Sequence, residues 1–514
     1  MGPLVPDPQG RLDLPEGFSY AVIDQGGQTM TDGYRVPGNP DGMACFPGEN
    51  GTIVLLRNHE LTASSRGPYQ PGGAPPRGVP PPEAYDPSLA GGVTRVVLDG
   101  TSYARVSNNL VLAGTAQNCS GGPSPWGFLS CEEAFDATHG YTFLCPANTA
   151  SVAMPQRIVG YGHFRHEAVA IDPAGNVAYL TEDRGDSALY RFVPDDASSP
   201  FVGRLQALRV RDRSAFDTAT GLSVGQSFDV DWVDLPDPDP ASDTLRATAR
   251  AAGAARFTRG EGIWFHRGVV YFTATDGGPA ASGQVFSLRP TATGGTLTLI
   301  AQSEDRAVLD GPDNLCMAPF GDLFLCEDGF AGGGENFIRG LTPGGEIYDF
   351  ARTTLSELSG SCFSPDGRAL FVNIFGADLT LVVTGPFPPG APDDGGDGGG
   401  AGGHGGFAGQ GGDDDGAGAP GGGQAGAETG GATGGGGSSR GGGTSNGGSS
   451  SGGASNGGSS GAGEPGGAGE PDGGGGSSSG GSSRGGAGIV VGPARRPKDA
   501  SDDAGCGCSV PGRR

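Results

Sequence analysis

From about residue 14 to residue 388 the apolar positions follow no helical period. Short apolar runs alternate instead with turns of Gly, Pro and Asp, the pattern of an all-β chain. The runs also repeat. "DGMACFPGENGTIVLLRNHE", "NCSGGPSPWGFLSCEE", "HEAVAIDPAGNVAYLTED", "GEGIWFHRGVVYFTATD", "DNLCMAPFGDLFLCED" and "ELSGSCFSPDGRALFVN" share one outline. A polar or acidic residue opens an apolar strand, a Gly or Asp-Gly turn follows, and a second apolar strand ends on a polar or acidic element. Glu167 to Glu182 and Glu261 to Asp276 are the clearest copies, each the size of one repeated hairpin.

Several copies add an outer strand, as in "GGVTRVVLD", "SALYRFVP", "GQVFSLRP", "GEIYDFAR" and "LTLVVTGPF". Four short strands per repeat, six repeats and no helical layer predict a six-bladed β-propeller over residues 12–388. A propeller aims the innermost strand of each blade at a central channel. The opening residues of the hairpins are Asp41, Cys119, Glu167, Glu261, Asp313 and Glu357. Acidic residues at strand ends also cap turns. Five carboxylates and a thiol around one channel repel, however, unless cations neutralise them. The pattern therefore predicts a metal site.

Composition narrows the chemistry. The formal net charge is −25, which argues against nucleic acid or anionic lipid as partner and suits a protein that holds cations. Lys498 is the only lysine, so the folded part has neither a Schiff-base lysine nor a Walker-type lysine, and any phosphate clamp is arginine. His59, His139, His163, His166 and His266 are scattered and show no zinc-protease spacing. Nine cysteines without paired spacing do not form a disulfide framework. Cys45, Cys145, Cys316, Cys326 and Cys362 lie in apolar runs and read as buried free thiols. No apolar run reaches the length of a membrane helix.

The motifs "NCSGGPSPWGFLSCEE", "HFRHEAVAIDP", "FTRGEGIWF", "PDNLCMAPFGDLFLCEDG" and "GSCFSPDGRALFVNI" resemble the successive motifs of PhoX-type alkaline phosphatases, over about Leu14 to Phe387. The resemblance implies an exported propeller that hydrolyses phosphomonoesters with Fe3+ and Ca2+. It implies Cys119 as an iron thiolate, with Glu132, Glu167, Glu261 and Asp313 as further ligands and Glu357 as a weaker match. A thiolate suits a transition metal and carboxylates suit calcium. On this reading the glycines after Cys119 let backbone approach the cluster. Cys131 packs, and Glu133 turns to the face opposite Glu132. Arg259, two residues before Glu261, would fork onto phosphate oxygens, and Asn314 would contact phosphate or orient a ligand. Two departures stand out: "NIFGADLT" lacks the family's late turn, and residues 201–256 are short and arginine-rich.

Two other functions stay open: a calcium-dependent propeller hydrolase of lactones or esters, and a non-catalytic binding propeller displayed at the surface. "GLSVG" fits a nucleophile-elbow pattern, but no helix is predicted after it. Residues 389–488, almost wholly Gly, Ser, Ala, Asp and Pro, are expected to be a disordered linker. The end, 489–514, with "GCGC", resembles a myxobacterial Cys-Gly-Cys sorting tail without its anchor. The expected product is a monomer without a membrane span, secreted, periplasmic or held at the envelope by its tail. The opening "MGPLVPDPQG" reads as already mature, or as that of a protein that stays inside.

Overall fold

A computed structural model describes residues 1–62, 65–69, 78–329 and 334–390. The expected linker, from residue 391, and the sorting tail lie outside the described residues. What is described is all-β and propeller-like. Its four-stranded antiparallel sheets follow the hairpin repeats. The first holds Pro40–Pro47, Thr52–His59, Gly91–Asp99 and Arg105–Thr115. The second holds Asn118–Ser124, Gly127–Glu132, Thr142–Cys145 and Gln156–Ile158, and a later one Pro312–Met317, Leu323–Glu327, Asn336–Leu341 and Ile347–Thr353. Between these two lies a nine-stranded sheet. It carries the hairpins His166–Asp172/Val177–Glu182 and Gly260–His266/Val269–Ala274 at its opposite edges.

The strand Ser227–Leu235 joins those two halves by pairing with Gly203–Val210 on one side and Gly294–Gln302 on the other. The hairpin repeat does not announce this strand. It lies in the arginine-rich segment, as does the one α-helix among the described residues, Leu245–Ala251. "GLSVG" is a turn with no helix behind it.

The remaining sheet closes the ring. Leu358–Phe363, Ala369–Ile374 and Leu379–Thr384 come from the end of the domain, and the edge strand Ser19–Gln25 comes from its start. Arg57, fully buried, pins this closure from the first sheet: its guanidinium reaches Asp24 of the edge strand at 3.1 Å and also bonds Thr380. Six inner strands begin at residues 40, 118, 166, 260, 312 and 358, and each touches the next in a closed circle.

Second strands such as Thr52–His59 are buried along nearly their whole length. Both faces are covered by neighbouring sheets, which is why they read as continuous apolar runs rather than alternating ones. Leu129 and Cys131 pack on Val169, Leu180, Tyr190 and Phe192 between the second and third sheets. All seven described cysteines are free thiols.

Candidate metal centre

Every inner strand carries the same irregularity. Pro40 pairs with His59 and Met43 with Arg57, so three steps on the inner strand oppose two on its neighbour. The same count recurs at Asn118/Gly121, His166/Val169, Gly260/Ile263, Pro312/Leu315 and Ser359/Cys362. One extra residue per strand is a β-bulge, which re-aims a side chain that a regular ladder would point into the sheet face. The residue after each first partner is Asp41, Cys119, Glu167, Glu261, Asp313 and, in the last strand, Gly360. Five of the expected ring positions therefore share one structural register, and Glu357 does not.

A second set comes from the ends of the second strands. Glu60, Glu133, Asp183 and Asp328 follow directly on His59, Glu132, Glu182 and Glu327, the residues that pair with the start of each bulge. Of these, Glu60 and Glu133 join the ring. Asp41, Glu60 and Cys119 bring donor atoms within 4.8 Å of one another, as do Cys119, Glu133 and Glu167, and Glu167, Glu261 and Asp313. Cys119 and Glu167 each belong to two groups, so the three form one continuous run of donors.

The electrostatics of this run are those of a site built for cations. Glu167 is completely buried, and neither of its oxygens accepts a hydrogen bond from a nitrogen or oxygen donor among the described residues. One oxygen each of Asp41 and Glu133 is in the same condition. Burial first, and then the neighbouring carboxylates, hold Asp41, Glu60, Glu167 and Glu261 well above the usual carboxylate range. Burial and the charge of Asp183 push Glu133 up to about 8, against the pull of Arg165, Arg259 and Arg184. Burial and Asp328 push Asp313 up to about 7. The Cys119 thiol is raised by burial and then by Glu167 and Asp41. Orphaned buried oxygens beside a thiol fit bound cations, whose charge would offset what the fold leaves uncompensated.

Glu132, expected among the ligands, faces away. One of its oxygens accepts from Ala116 N–H at 2.9 Å and pairs with His139 Nδ1 at 2.7 Å; the other accepts from Gly140 and Tyr141 N–H at 2.8 and 3.3 Å. Its donors are all supplied by protein, and Glu133 is the member of the pair that reaches the ring. Glu357 is half-buried, lies near Asp328, Asp313 and Glu60, and stays outside the three groups. The glycines after Cys119 serve a different contact from the expected one. A Cβ on Gly121 would fall 2.0 Å from Leu129 O, and one on Gly122 1.9 Å from Val169 O, so they admit neighbouring strands rather than the cluster.

Asn314 is buried with its amide engaged at both ends: Nδ2 donates to Asp313 Oδ1 at 2.9 Å and Oδ1 accepts from Gly360 N–H at 2.6 Å. Arg259 immediately precedes its strand, with φ +55°, a left-handed backbone that a non-glycine residue rarely adopts. Its N–H bonds Arg184 O at 3.0 Å and its carbonyl accepts from Thr275 N–H at 2.9 Å, which hold the strained turn. The guanidinium forks onto Asp183 at 2.8 and 3.2 Å and reaches Glu261 Oε1 at 2.7 Å.

A closed ring of antiparallel sheets, its axis lined by buried carboxylates, a thiol and an arginine fork, defines a propeller-like scaffold around a candidate metal centre. The family model that matches is alkaline phosphatase PhoX, over residues 1–110 and 101–378. The chain belongs to this family and is a metal-dependent phosphomonoesterase. No curated protein matches it. Among solved structures, Pseudomonas fluorescens PhoX in complex with vanadate, a transition state analogue, is 20% identical, covers 73% of this chain and 96% of its own, and superposes with a TM-score of 0.58. That likeness shows the fold. A gluconolactonase from Xanthomonas campestris (13% identity, 75% of this chain and 98% of its own, TM-score 0.35) and a Bacteroides thetaiotaomicron protein of unknown function (11%, 71% and 76%, 0.39) are more distant and carry no argument.

Proposed function

We propose that the axial run of donors is the metal centre at which this phosphatase cleaves phosphomonoesters, with iron beside Cys119 and calcium toward the carboxylate end. The observation that carries the reading is Glu167, which is fully buried, has no nitrogen or oxygen donor to either oxygen among the described residues and is shared by two donor groups. Cys119, with Asp41, Glu60, Glu133 and Glu167 around it, offers the soft donor that iron accepts. Glu167, Glu261 and Asp313 offer only the oxygens that calcium prefers. The cations would neutralise charge on the transferring phosphoryl group and lower the pKa of a nearby water. The thiol also weighs against a calcium-only lactone or ester hydrolase.

The chain's own residues do the rest. Arg259 places a planar donor fork beside Glu261, suited to two phosphate oxygens at once. Its strained backbone and its bond to Asp183 fix the guanidinium before substrate arrives, so little reorganisation is needed. Arg165 and Arg184 add positive charge near Glu133 and draw an anion toward an otherwise acidic opening. Asn314 keeps Asp313 at its angle by tying it to the last inner strand.

The same reading takes the nine-stranded sheet as two blades joined edge to edge through Ser227–Leu235. Six bladed units then span residues 12–388, which work as a monomer on small phosphomonoesters. The low-complexity residues 389–488 act as a stalk, and 489–514 direct export to the surface or periplasm. The full chain should release p-nitrophenol from p-nitrophenyl phosphate, lose that activity on chelation and regain it with iron and calcium together. Turnover unaffected by exhaustive chelation would refute the reading.

A further inference from the structure

Four buried polar side chains make the same contact between successive hairpins. Asn58 Nδ2 donates to Ser120 O and, at 3.2 Å, to Cys119 O, and Thr273 Oγ1 donates to Asp313 O at 2.9 Å. Thr181 Oγ1 donates to Glu261 O, and Asn373 Nδ2 to Asp41 O at 2.6 Å. In each case the donor sits on the second strand of one hairpin and the acceptor is the bulged residue on the inner strand of the next hairpin; for Thr181 and Glu261 the two hairpins are the opposite edges of the nine-stranded sheet. Asn58, Thr181 and Thr273 occupy one register position, directly before His59, Glu182 and Ala274, which pair with the start of the bulge in their own sheets. All four donors are no more than 1% exposed.

A bulge leaves its extra residue outside the regular ladder, so its carbonyl must find another donor. The donor found fixes the peptide plane, and with it the direction in which the ligand side chain leaves the backbone. We infer that Asn58, Thr181, Thr273 and Asn373 are positioning residues of the metal centre. Each aims a ligand of the following hairpin by holding its carbonyl, so the donor geometry depends on the contact between hairpins. The inference rests on the metal-centre reading above. Asn58 is itself braced by Ser130 Oγ, which donates to its Oδ1 at 2.7 Å, and Ser130 accepts in turn from Asn118 Nδ2 at 2.9 Å.

The test uses the full chain stripped with chelator and titrated with calcium chloride, following both the dissociation constant and the unfolding temperature. Thr181→Val and Thr273→Val remove hydroxyls that hold Glu261 and Asp313. Ser282→Ala removes a similar buried hydroxyl, which donates at 2.6 Å to Ser303 O, the carbonyl of a residue outside the three donor groups. Partners that orient metal ligands typically contribute about ten- to a hundredfold in metal affinity. Both valine variants should weaken calcium by that much, while Ser282→Ala lowers the metal-free unfolding temperature without changing calcium affinity. Thr273→Ser, which keeps the hydroxyl, should restore affinity. Calcium affinity within about twofold of the unmodified chain in both valine variants would overturn the positioning role, as would a serine variant as weak as the valine. An unmodified chain that takes up no calcium would overturn the assignment of calcium to the carboxylate end, and this inference with it.

Discussion

Glu132 and Glu133 are adjacent, identical and equally buried, yet the fold puts them to opposite uses. Glu132 is enclosed by Ala116, His139, Gly140 and Tyr141, all of which meet its oxygens. Glu133 keeps an oxygen without a hydrogen-bond partner among the described residues and lies with Cys119 and Glu167. Around the ring the first member of each such pair is likewise met by protein donors. Glu182 bonds Tyr190 and Arg246, and Glu327 bonds Asp310 N–H and Arg339, while the next residues, Asp183 and Asp328, lie near the axial carboxylates. Burial alone thus does not distinguish a carboxylate that protein donors satisfy from one that they leave unmet.

The comparison breaks most sharply at Glu167. Glu167→Gln should cost more than about a hundredfold in metal affinity, beyond the range for partners that only orient ligands. It should also raise the unfolding temperature of the metal-free chain, because burial and the neighbouring carboxylates hold Glu167 well above the usual carboxylate range, and the amide removes the cost of protonating it on folding. Glu132→Gln should do the reverse, retaining metal and destabilising the chain by about 1.5–3 kcal/mol through its lost charge-assisted hydrogen bonds. If both variants shift stability in the same direction with and without metal, the distinction is wrong.

Arg259→Ala should leave metal bound and slow turnover of p-nitrophenyl phosphate by about a hundredfold, as for other donors that act on transition-state charge. A variant that loses metal along with activity would show that the Arg259–Glu261 contact holds the cluster rather than the substrate.

Protons offer a gentler probe. Glu133 is raised to about 8 and Asp313 to about 7, so the folded metal-free chain holds protons that the unfolded chain releases near the ordinary carboxylate range. Stability is then complete below that range and is lost as pH rises to about 8. Unfolding temperatures of chelated protein should fall between about pH 5 and pH 8, and bound cations should flatten that fall. A chelated chain more stable at the higher pH would contradict the assignment. The smallest effect belongs to the low-complexity region. A chain ending at residue 390 should keep turnover within about tenfold, since every residue of the three donor groups lies between positions 41 and 313.

Much of this was legible because the repeat fixes spacing. Five of the six ring positions follow from reading the polar residue at the head of each hairpin, and the expected strands near Glu167 and Glu182 coincide with His166–Asp172 and Val177–Glu182. The sixth fails because the last inner strand places Gly360 in the bulge, with φ +61° and a Cβ that would fall 2.2 Å from Asp41 O. Counting from the nearest acid selects Glu357 instead. Alternation correctly separates Glu132 from Glu133, but it does not say which face is axial: the ladder ends at Glu132, opposite Asn118, and Glu133 N–H bonds Gln117 O. Aligning "NHE", "CEE", "TED" and "CED" at the second-strand ends carries the missing signal and points to Glu60 and Glu133. The strand Ser227–Leu235 was legible as well, since "FDVDWVDL" alternates, although it lies outside the hairpin repeat.

The most direct test of the metal centre is elemental analysis of the purified full chain beside Cys119→Ala and Glu132→Gln, each confirmed folded by circular dichroism. The account predicts iron in the unmodified chain and in Glu132→Gln, and its loss from Cys119→Ala. Iron retained without Cys119, or lost without Glu132, would contradict it.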